Sequence, residues 1–334
     1  MQKIRWGVLG VAKIATDKVI PAMQRGQWSE VTAIASRDID KARAAAARLG
    51  IAKAFGSYEE LLGDKDIDAI YNPLPNHLHV PWSIRAAEHG KHVLCEKPIA
   101  LSAREARELL AVRDRMGVKI QEAFMVRTHP QWLAVKQIVT SGRIGDVKSM
   151  LGVFSYTNRD PANIRNQTAA GGGALMDIGC YLVYTSRFIF GREPNRVTGA
   201  IERDPAMGTD RLTSVLLDYG SGHAAGSCST QMVFAQRMQI YGTLGRVELP
   251  IPFNAPPDRP TRIIVDTGAD LFGGGISHID IDTCNQYTIQ GDLFSKAILD
   301  DAAAPSPLED AVQNMACIDA IFRSSETGRW EVPH

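Results

Sequence analysis

The sequence has no excess charge of either sign: Lys and Arg together number 37, and so do Asp and Glu. A balanced chain has no global field to draw nucleic acid or an anionic membrane surface, which leaves a small molecule as the expected partner. There is also no apolar run near the roughly 18 to 20 residues needed to cross a bilayer. No signal-peptide pattern precedes the first strand-like stretch, Ile4-Arg5-Trp6-Gly7-Val8-Leu9-Gly10, so the cytoplasm is the expected location. Cysteine is scarce. Cys95, Cys180, Cys228, Cys284 and Cys317 lie far apart with no metal-ligand or Cys-x-x-Cys spacing, and read as reduced thiols. The eight histidines form no ligand cluster either, so no metal is expected. The chain does have 45% apolar against 22% charged residues over 334 positions, enough to bury a core. At roughly 150 residues per domain, that length suggests two domains.

The first third alternates short apolar runs with helical patterns. Ile4–Gly10 is followed by a helical stretch near 14–25, the run Val31–Ala35, an Ala-rich helix Ile39–Leu49 and a helix near Tyr58–Leu62. Ala69–Tyr71, a helix near 80–89, His92–Cys95, a helix Ser102–Met116 opened by a Ser102/Glu105 capping box, and Val118–Ile120 complete the series. Strands alternating with helices at this spacing mean βαβ units and a parallel sheet. From about Glu122, strand-like runs follow one another at Lys148–Tyr156, Arg196–Ile201, Leu212–Leu217, His223–Gln231 and Arg237–Tyr241. They imply a mainly antiparallel sheet, interrupted by helices at Ala174–Phe190 and Leu308–Ser324. The proline-rich stretch Pro250–Pro260 reads as an irregular surface crossing.

The first βα turn, Gly10-Val11-Ala12-Lys13-Ile14-Ala15, is close to the dinucleotide fingerprint, with Ala at the second and third Gly positions. Gly10 permits the turn, and Ala12, Lys13 and Ile14 follow where backbone approaches a pyrophosphate. At the end of the second strand, enzymes that bind NAD usually carry a carboxylate for the ribose hydroxyls. This chain has Ser36 and Arg37 there, with Lys41 one helical turn on. A carboxylate would repel a 2′-phosphate, whereas a hydroxyl and a guanidinium bind one, so NADP is the expected cofactor. Two further segments, Asn72-Pro73-Leu74-Pro75-Asn76-His77-Leu78-His79 and Cys95-Glu96-Lys97-Pro98, end the next strands and converge on the same crevice. The fold expected is therefore α/β: a Rossmann-type, doubly wound parallel sheet at 1–121, then an α+β domain at 122–334 with a large, mainly antiparallel open sheet, the last helix packing back near the junction.

The Gly10 turn, Glu96-Lys97-Pro98, Asn76–His79 and Gly171-Gly172-Gly173-Ala174-Leu175-Met176-Asp177-Ile178-Gly179-Cys180-Tyr181 together resemble the glucose-fructose oxidoreductase, inositol dehydrogenase and rhizopine catabolism family over essentially the whole chain. Within it, Glu122–Pro130 is similar to the dihydrodiol and xylose dehydrogenase branch, and Ala170–Tyr181 to glucose-fructose oxidoreductase, both NADP-linked.

The resemblance implies that Tyr181 is the catalytic acid or base, with Asp177 one turn earlier; Lys97 tunes it if the fold brings the two together. A tyrosine of pKa about 10 needs roughly 3 to 4 kcal/mol of help to work near neutrality, which one cation about 4 Å away supplies. Asn72, Leu74, Pro75, Asn76, His79, Glu96, Lys97 and Arg165 are the further expected cofactor contacts. Lys97, Arg127, His129, Asp177 and Tyr181 are the expected substrate contacts. A Trp-Arg pair that touches the cofactor in some relatives matches Ile164-Arg165 here, without the aromatic ring. Glucose-fructose oxidoreductase has an export signal and an N-terminal arm over its cofactor, and the first strand-like stretch here begins too early for either, so permanent retention of NADP is left open. The expected activity is oxidation of an aldose at its anomeric hydroxyl, with or without return of the hydride to a second sugar. The rivals are trans-dihydrodiol or xylose dehydrogenase activity and, in another class, a non-catalytic NADP or sugar sensor. Relatives pair through the second sheet, which implies a homo-oligomer, a dimer or a dimer of dimers.

Overall fold

The computed structural model describes residues 2–334. It divides into two compact units, one made of residues up to Thr128 together with Asn285–Val312, the other of His129–Cys284 together with Gln313–His334.

The first unit holds a six-stranded parallel sheet: β1 Ile4–Leu9, β2 Ser29–Ala35, β3 Lys53–Phe55, β4 Ala69–Asn72, β5 His92–Cys95 and β6 Ile120–Glu122, in the order β3-β2-β1-β4-β5-β6. Between the strands run α1 Ile20–Met23, preceded by a π-turn at Ala15–Val19, then α2 Ile39–Leu49, α3 Tyr58–Gly63, α4 His79–Glu88 and α5 Ala103–Met116. β4 is buried throughout and β5 nearly so, as strands covered on both faces must be. Local chemistry sets the ends. Asp38 caps α2, and Gly50 closes it in the left-handed region at φ 67°. Ser102 caps α5 through the Glu105 amide at 3.3 Å, and Gly117 closes it at φ 64°.

The sheet reverses between β1 and β4, which puts the crevice for a ligand at the ends of those two strands. The last strand lies two residues further on than Val118–Ile120 suggests. Its register against β5 carries it to Glu122, whose buried carboxylate accepts the Ile99 amide at 2.7 Å. A helix absent from the sequence reading, α8 Gln286–Leu299, completes this unit. Its Phe294 packs on Trp6 and its Ser295 accepts the Trp6 indole at 3.0 Å.

The second unit holds an eight-stranded sheet: β7 Val147–Thr157, β8 Arg196–Arg203, β9 Asp210–Asp218, β10 His223–Ser229, β11 Gln231–Gly242, β12 Arg246–Leu249, β13 Thr261–Asp266 and β14 Ile276–Ile281. The order is β14-β13-β12-β11-β7-β10-β9-β8, antiparallel except for the β7/β10 pair. Three helices accompany the sheet: α6 Pro130–Thr140, α7 Cys180–Phe190 and α9 Leu308–Thr327. The division between units falls within α9, whose Glu309 pairs with Arg113 of the first unit at 2.8 Å and whose Ser324 donates to Thr198 of β8 at 3.0 Å.

Two expectations change. The start of the Ala174–Phe190 helix is a π-turn, Leu175–Gly179, rather than α-helix. The Pro250–Pro260 crossing is irregular but not superficial, because Phe253 is fully buried at its centre. Gln131 and Trp132 donate to the Pro252 carbonyl at 3.2 and 2.7 Å, and Gln236 accepts the Phe253 and Asn254 amides at 3.0 Å each. Pinned on both sides, the segment turns its aromatic ring into the core. No helix among the described residues is long and apolar enough to cross a membrane.

Candidate active site

In the first unit the Gly10 turn follows β1 directly. Its φ is +84°, its amide donates to the Ala35 carbonyl at the end of β2 at 2.8 Å, and a Cβ there would meet Leu74 at 3.0 Å. The conformation favours glycine, and any side chain there would also displace Leu74. Ala12 and Ile14 pack on the core below, leaving Lys13 exposed. At the end of β2, Ser36 accepts the Asp38 amide at 3.2 Å, and the Asp38 carboxylate caps α2 while facing Lys41 at 3.7 Å. Arg37 is exposed and lies beside the Tyr58 phenol. Burial raises the pKa of that phenol, and the guanidinium partly offsets the rise.

The next two strand ends are tied together by side chains. Asn72 is fully buried: its amide donates to the His79 carbonyl at 3.0 Å and to Ser83 at 3.1 Å, and its oxygen accepts the Leu74 amide at 3.3 Å. The buried His79 ring faces the Leu74 carbonyl at 2.6 Å and the Pro98 carbonyl at 2.8 Å. Burial lowers its pKa to about 4 against the pull of both carbonyls, and the Lys97 charge adds to the lowering. Both side chains expected to touch cofactor therefore brace the loops from inside. Leu74 is buried, and Pro75 and Asn76 are half-buried. Beyond β5, Glu96 accepts the Tyr71 phenol at 2.6 Å, and Lys97 is half-buried before a cis peptide to Pro98. Burial, then the Glu96 charge, pushes Tyr71 up, so its proton stays in place and fixes the carboxylate next to Lys97. Arg127 lies half-buried in the 3-10 turn Met125–Thr128.

In the second unit the glycine run prepares the helix that follows. Gly173 has φ +123°, and a Cβ there would fall 1.9 Å from the Asp210 carboxylate; one on Gly172 would fall 2.4 Å from the Arg165 carbonyl. Asp210 is buried and accepts the Leu175 amide at 2.7 Å and the Thr213 hydroxyl at 2.8 Å, anchoring the start of the π-turn. That turn carries Asp177, which accepts the Tyr156 phenol at 2.6 Å and the Arg165 guanidinium at 3.1 Å on the same oxygen. Arg165, expected at the cofactor, is thus paired with the carboxylate expected at the substrate. Tyr181 is 3% exposed, with its ring against Phe154 and Phe253 at centroid distances of 5.7 and 5.2 Å. His129 is also buried. Its Nδ1 accepts the Gln131 amide at 3.1 Å as the cap of α6, which leaves Nε2 to donate to the Cys284 sulfur at 3.5 Å. Both nitrogens of this expected substrate contact are occupied.

Sequence reasoning missed Tyr156, Phe253, Asp210 and Tyr71. Tyr156 sits at a strand position with no local motif, and Phe253 among prolines that suggest surface. Asp210 was detectable in principle, since a glycine with a strained φ needs a group occupying the vacated space. Among the described residues no group of three or more His, Cys, Asp or Glu is arranged to hold a metal.

Family models described as "Oxidoreductase family, NAD-binding Rossmann fold" and "GFO/IDH/MocA C-terminal domain" match residues 4–124 and 132–248. The chain belongs to this oxidoreductase family. It is 47% identical to an uncharacterized oxidoreductase of Rhizobium meliloti over 99% of each chain. It is 37% identical to D-xylose 1-dehydrogenase (NADP(+)) 2 of Haloferax volcanii, over 97% of this chain and 98% of that one. Among solved structures, the 3-ketoreductase KijD10 from Actinomadura kijaniata, in complex with NADP and TDP-benzene, superposes with a TM-score of 0.90 at 28% identity, covering 97% of this chain and 98% of that one. KijD10 has also been crystallised with a single lysine or a single tyrosine replaced, and those two residues stand as far apart in its chain as Lys97 and Tyr181 do here.

The buried His129 predicts a pH effect. Burial lowers its pKa from 6.5 to about 4, so below about 6.5 the unfolded chain binds the proton first. Stability from this group is full above about pH 6.5, falls by roughly 3 kcal/mol in all as pH drops toward 4, and levels off below it. His129→Asn keeps a capping oxygen without the titration, and its unfolding free energy should fall less steeply between pH 6.5 and 4 in urea titrations. An unchanged slope would mean that His129 is not buried neutral.

Proposed function

We propose that this family member is an NADP-dependent sugar oxidoreductase that oxidises the anomeric hydroxyl of an aldose to the lactone. The observation that carries the reading is the pairing of a clamped carboxylate, Asp177, with a phenol, Tyr181, on one helical segment, in a chain whose first unit offers Lys97 at a strand end. A sensor needs no such set.

The first unit fits the cofactor. Gly10 leaves its turn without a side chain at the reversal of the sheet, and β2 ends in Ser36 and an exposed Arg37, while the nearest carboxylate, Asp38, is occupied in capping α2. This donor set suits a 2′-phosphate and favours NADP over the NAD of the family description. Backbone at the Gly10 turn would face the pyrophosphate, Ser36, Arg37 and Lys41 the 2′-phosphate, and Glu96 with Lys97 the nicotinamide end. Bound there, NADP would supply the hydride acceptor for oxidation at the anomeric carbon.

The chain's own residues handle the proton and the substrate. Tyr181 accepts the proton of the anomeric hydroxyl as the carbonyl forms. Lys97 is required to bring its ammonium within about 4 Å of that phenol, where an effective dielectric near 20 gives on the order of 4 kcal/mol, enough to lower its pKa by two to three units. Asp177, an acceptor held in place, takes a hydrogen bond from a neighbouring sugar hydroxyl. The aromatic walls Phe154 and Phe253 keep the phenol ring in one orientation and exclude water from its edge. The xylose dehydrogenase relative supports an aldose as substrate, and we infer a homodimer by analogy with the family.

Two tests follow. Arg37→Ala should weaken NADP about ten- to a hundredfold and NAD far less. Equal weakening of both in fluorescence titrations would remove Arg37 from phosphate recognition. A panel of aldoses including D-xylose should reduce NADP and release lactone, and Tyr181→Phe should lower turnover by about 10² to 10⁴ with cofactor binding intact. If no aldose is oxidised, or if Tyr181→Phe keeps more than about a tenth of the turnover where chemistry limits the rate, the reading is wrong.

A further inference from the structure

Asp177 is held by groups from two other segments of its own unit. Tyr156 reaches it from β7 and Arg165 from the 3-10 turn Ile164–Asn166, at 2.6 and 3.1 Å, both on Oδ2. The Asp177 carboxylate is 13% exposed, the Arg165 guanidinium 43%, and Tyr156 is half-buried. Burial, then the Asp177 charge, pushes the Tyr156 phenol well above the usual tyrosine range, so it remains a donor at any working pH. A phenol that cannot ionise and a guanidinium that cannot lose its charge both stabilise the ionised carboxylate. The glycine run adds a backbone constraint. Gly173 donates to the Arg165 carbonyl at 2.8 Å, and Asp177 donates to the Gly173 carbonyl at 3.0 Å, so the segment carrying Arg165 and the turn carrying Asp177 are joined through Gly173.

We propose that Tyr156 and Arg165 are positioning residues which fix Asp177 as an ionised, acceptor-only carboxylate, so that the substrate must present a hydroxyl donor next to the carbon being oxidised. The proposal rests on the reading of Asp177 as the substrate-binding carboxylate. It assigns Tyr156 a role that no motif indicates, and it moves Arg165 from the cofactor to the substrate side. A carboxylate held on one oxygen by two donors keeps a fixed plane, and a fixed acceptor discriminates by direction as well as by chemistry.

A double-mutant cycle tests this, with NADP and the aldose turned over fastest in the panel above. Tyr156→Phe should lower kcat/KM about ten- to a hundredfold, the worth of a hydrogen bond to a charged group, and leave the KM for NADP within about twofold. In an Asp177→Asn background, Tyr156→Phe should change kcat/KM by less than about twofold, because a residue that acts only through Asp177 has nothing left to position. Losses that multiply in the double variant would overturn the proposal, as would a Tyr156→Phe enzyme with wild-type kcat/KM. Should Tyr156→Phe not melt cooperatively, Arg165→Gln at the exposed arm of the clamp carries the same cycle. A rise in the KM for NADP with no effect on the sugar would return Arg165 to the cofactor and overturn its place in the clamp. Asp177→Asn with undiminished kcat/KM sinks the reading of the site and the clamp with it, whereas a damaged Asp177→Asn enzyme with multiplicative losses sinks the clamp alone.

Discussion

The buried carboxylate of Asp210 accepts the Leu175 amide and the Thr213 hydroxyl, and it fills the space that a side chain at position 173 would need. Burial raises its pKa and those bonds oppose the rise. Everything proposed for the chemistry in the second unit hangs from this anchor. It sets where the π-turn begins, and hence which residues Asp177 and Tyr181 meet. A single extra Cβ at Gly173 would displace it. An ordinary α-helical start would leave Leu175 without this cap and turn Asp177 through a different angle, and π-turns of this kind recur where a helix must aim a functional side chain.

The first unit relies on a similar economy of backbone. The left-handed Gly10 amide, the buried Asn72 side chain and the buried His79 ring are each bonded to backbone carbonyls of neighbouring segments. They hold the strand ends in register, so that the groups proposed to meet the cofactor, Ser36, Arg37, Glu96 and Lys97, are presented from rigid positions. Tyr71 supports Glu96 from below with a proton it cannot lose. Binding energy for a charged cofactor is larger when its partners are pre-oriented in this way, because little conformational entropy remains to be lost.

Much of the fold was legible because local rules and tertiary contacts agree. The bounds of α2 and β5 match the expectation to the residue, the one set by Asp38 and Gly50, the other by an apolar run between turns. Helix α8 escaped because its buried face, apart from Phe294, is polar or small: Gln286, Gln290 and Ser295 are buried, and Gly291 sits where a Cβ would meet Met23 at 2.9 Å. Such a face carries no apolar period. The site divided in the same way. Lys97, Asp177 and Tyr181 stood out through motif and spacing, while Asn72, His79 and His129, read as ligand contacts, have side chains hydrogen-bonded within the protein. Position along a strand end is readable from sequence; whether a polar side chain is satisfied from inside depends on carbonyls that no motif records. Tyr156 was invisible for the converse reason, since a lone tyrosine in a strand gains meaning only from the carboxylate it meets.

The central claim is that Tyr181 works as a base because a cation, Lys97, lowers its pKa. The most direct test is the pH dependence of kcat/KM for aldose oxidation in Lys97→Met beside the wild type, because losing the cation must raise the pKa of the phenol. The account predicts that the alkaline rise in rate moves up by about two pH units, with a lower rate at neutrality. A profile of unchanged position, lowered only in height, would contradict it.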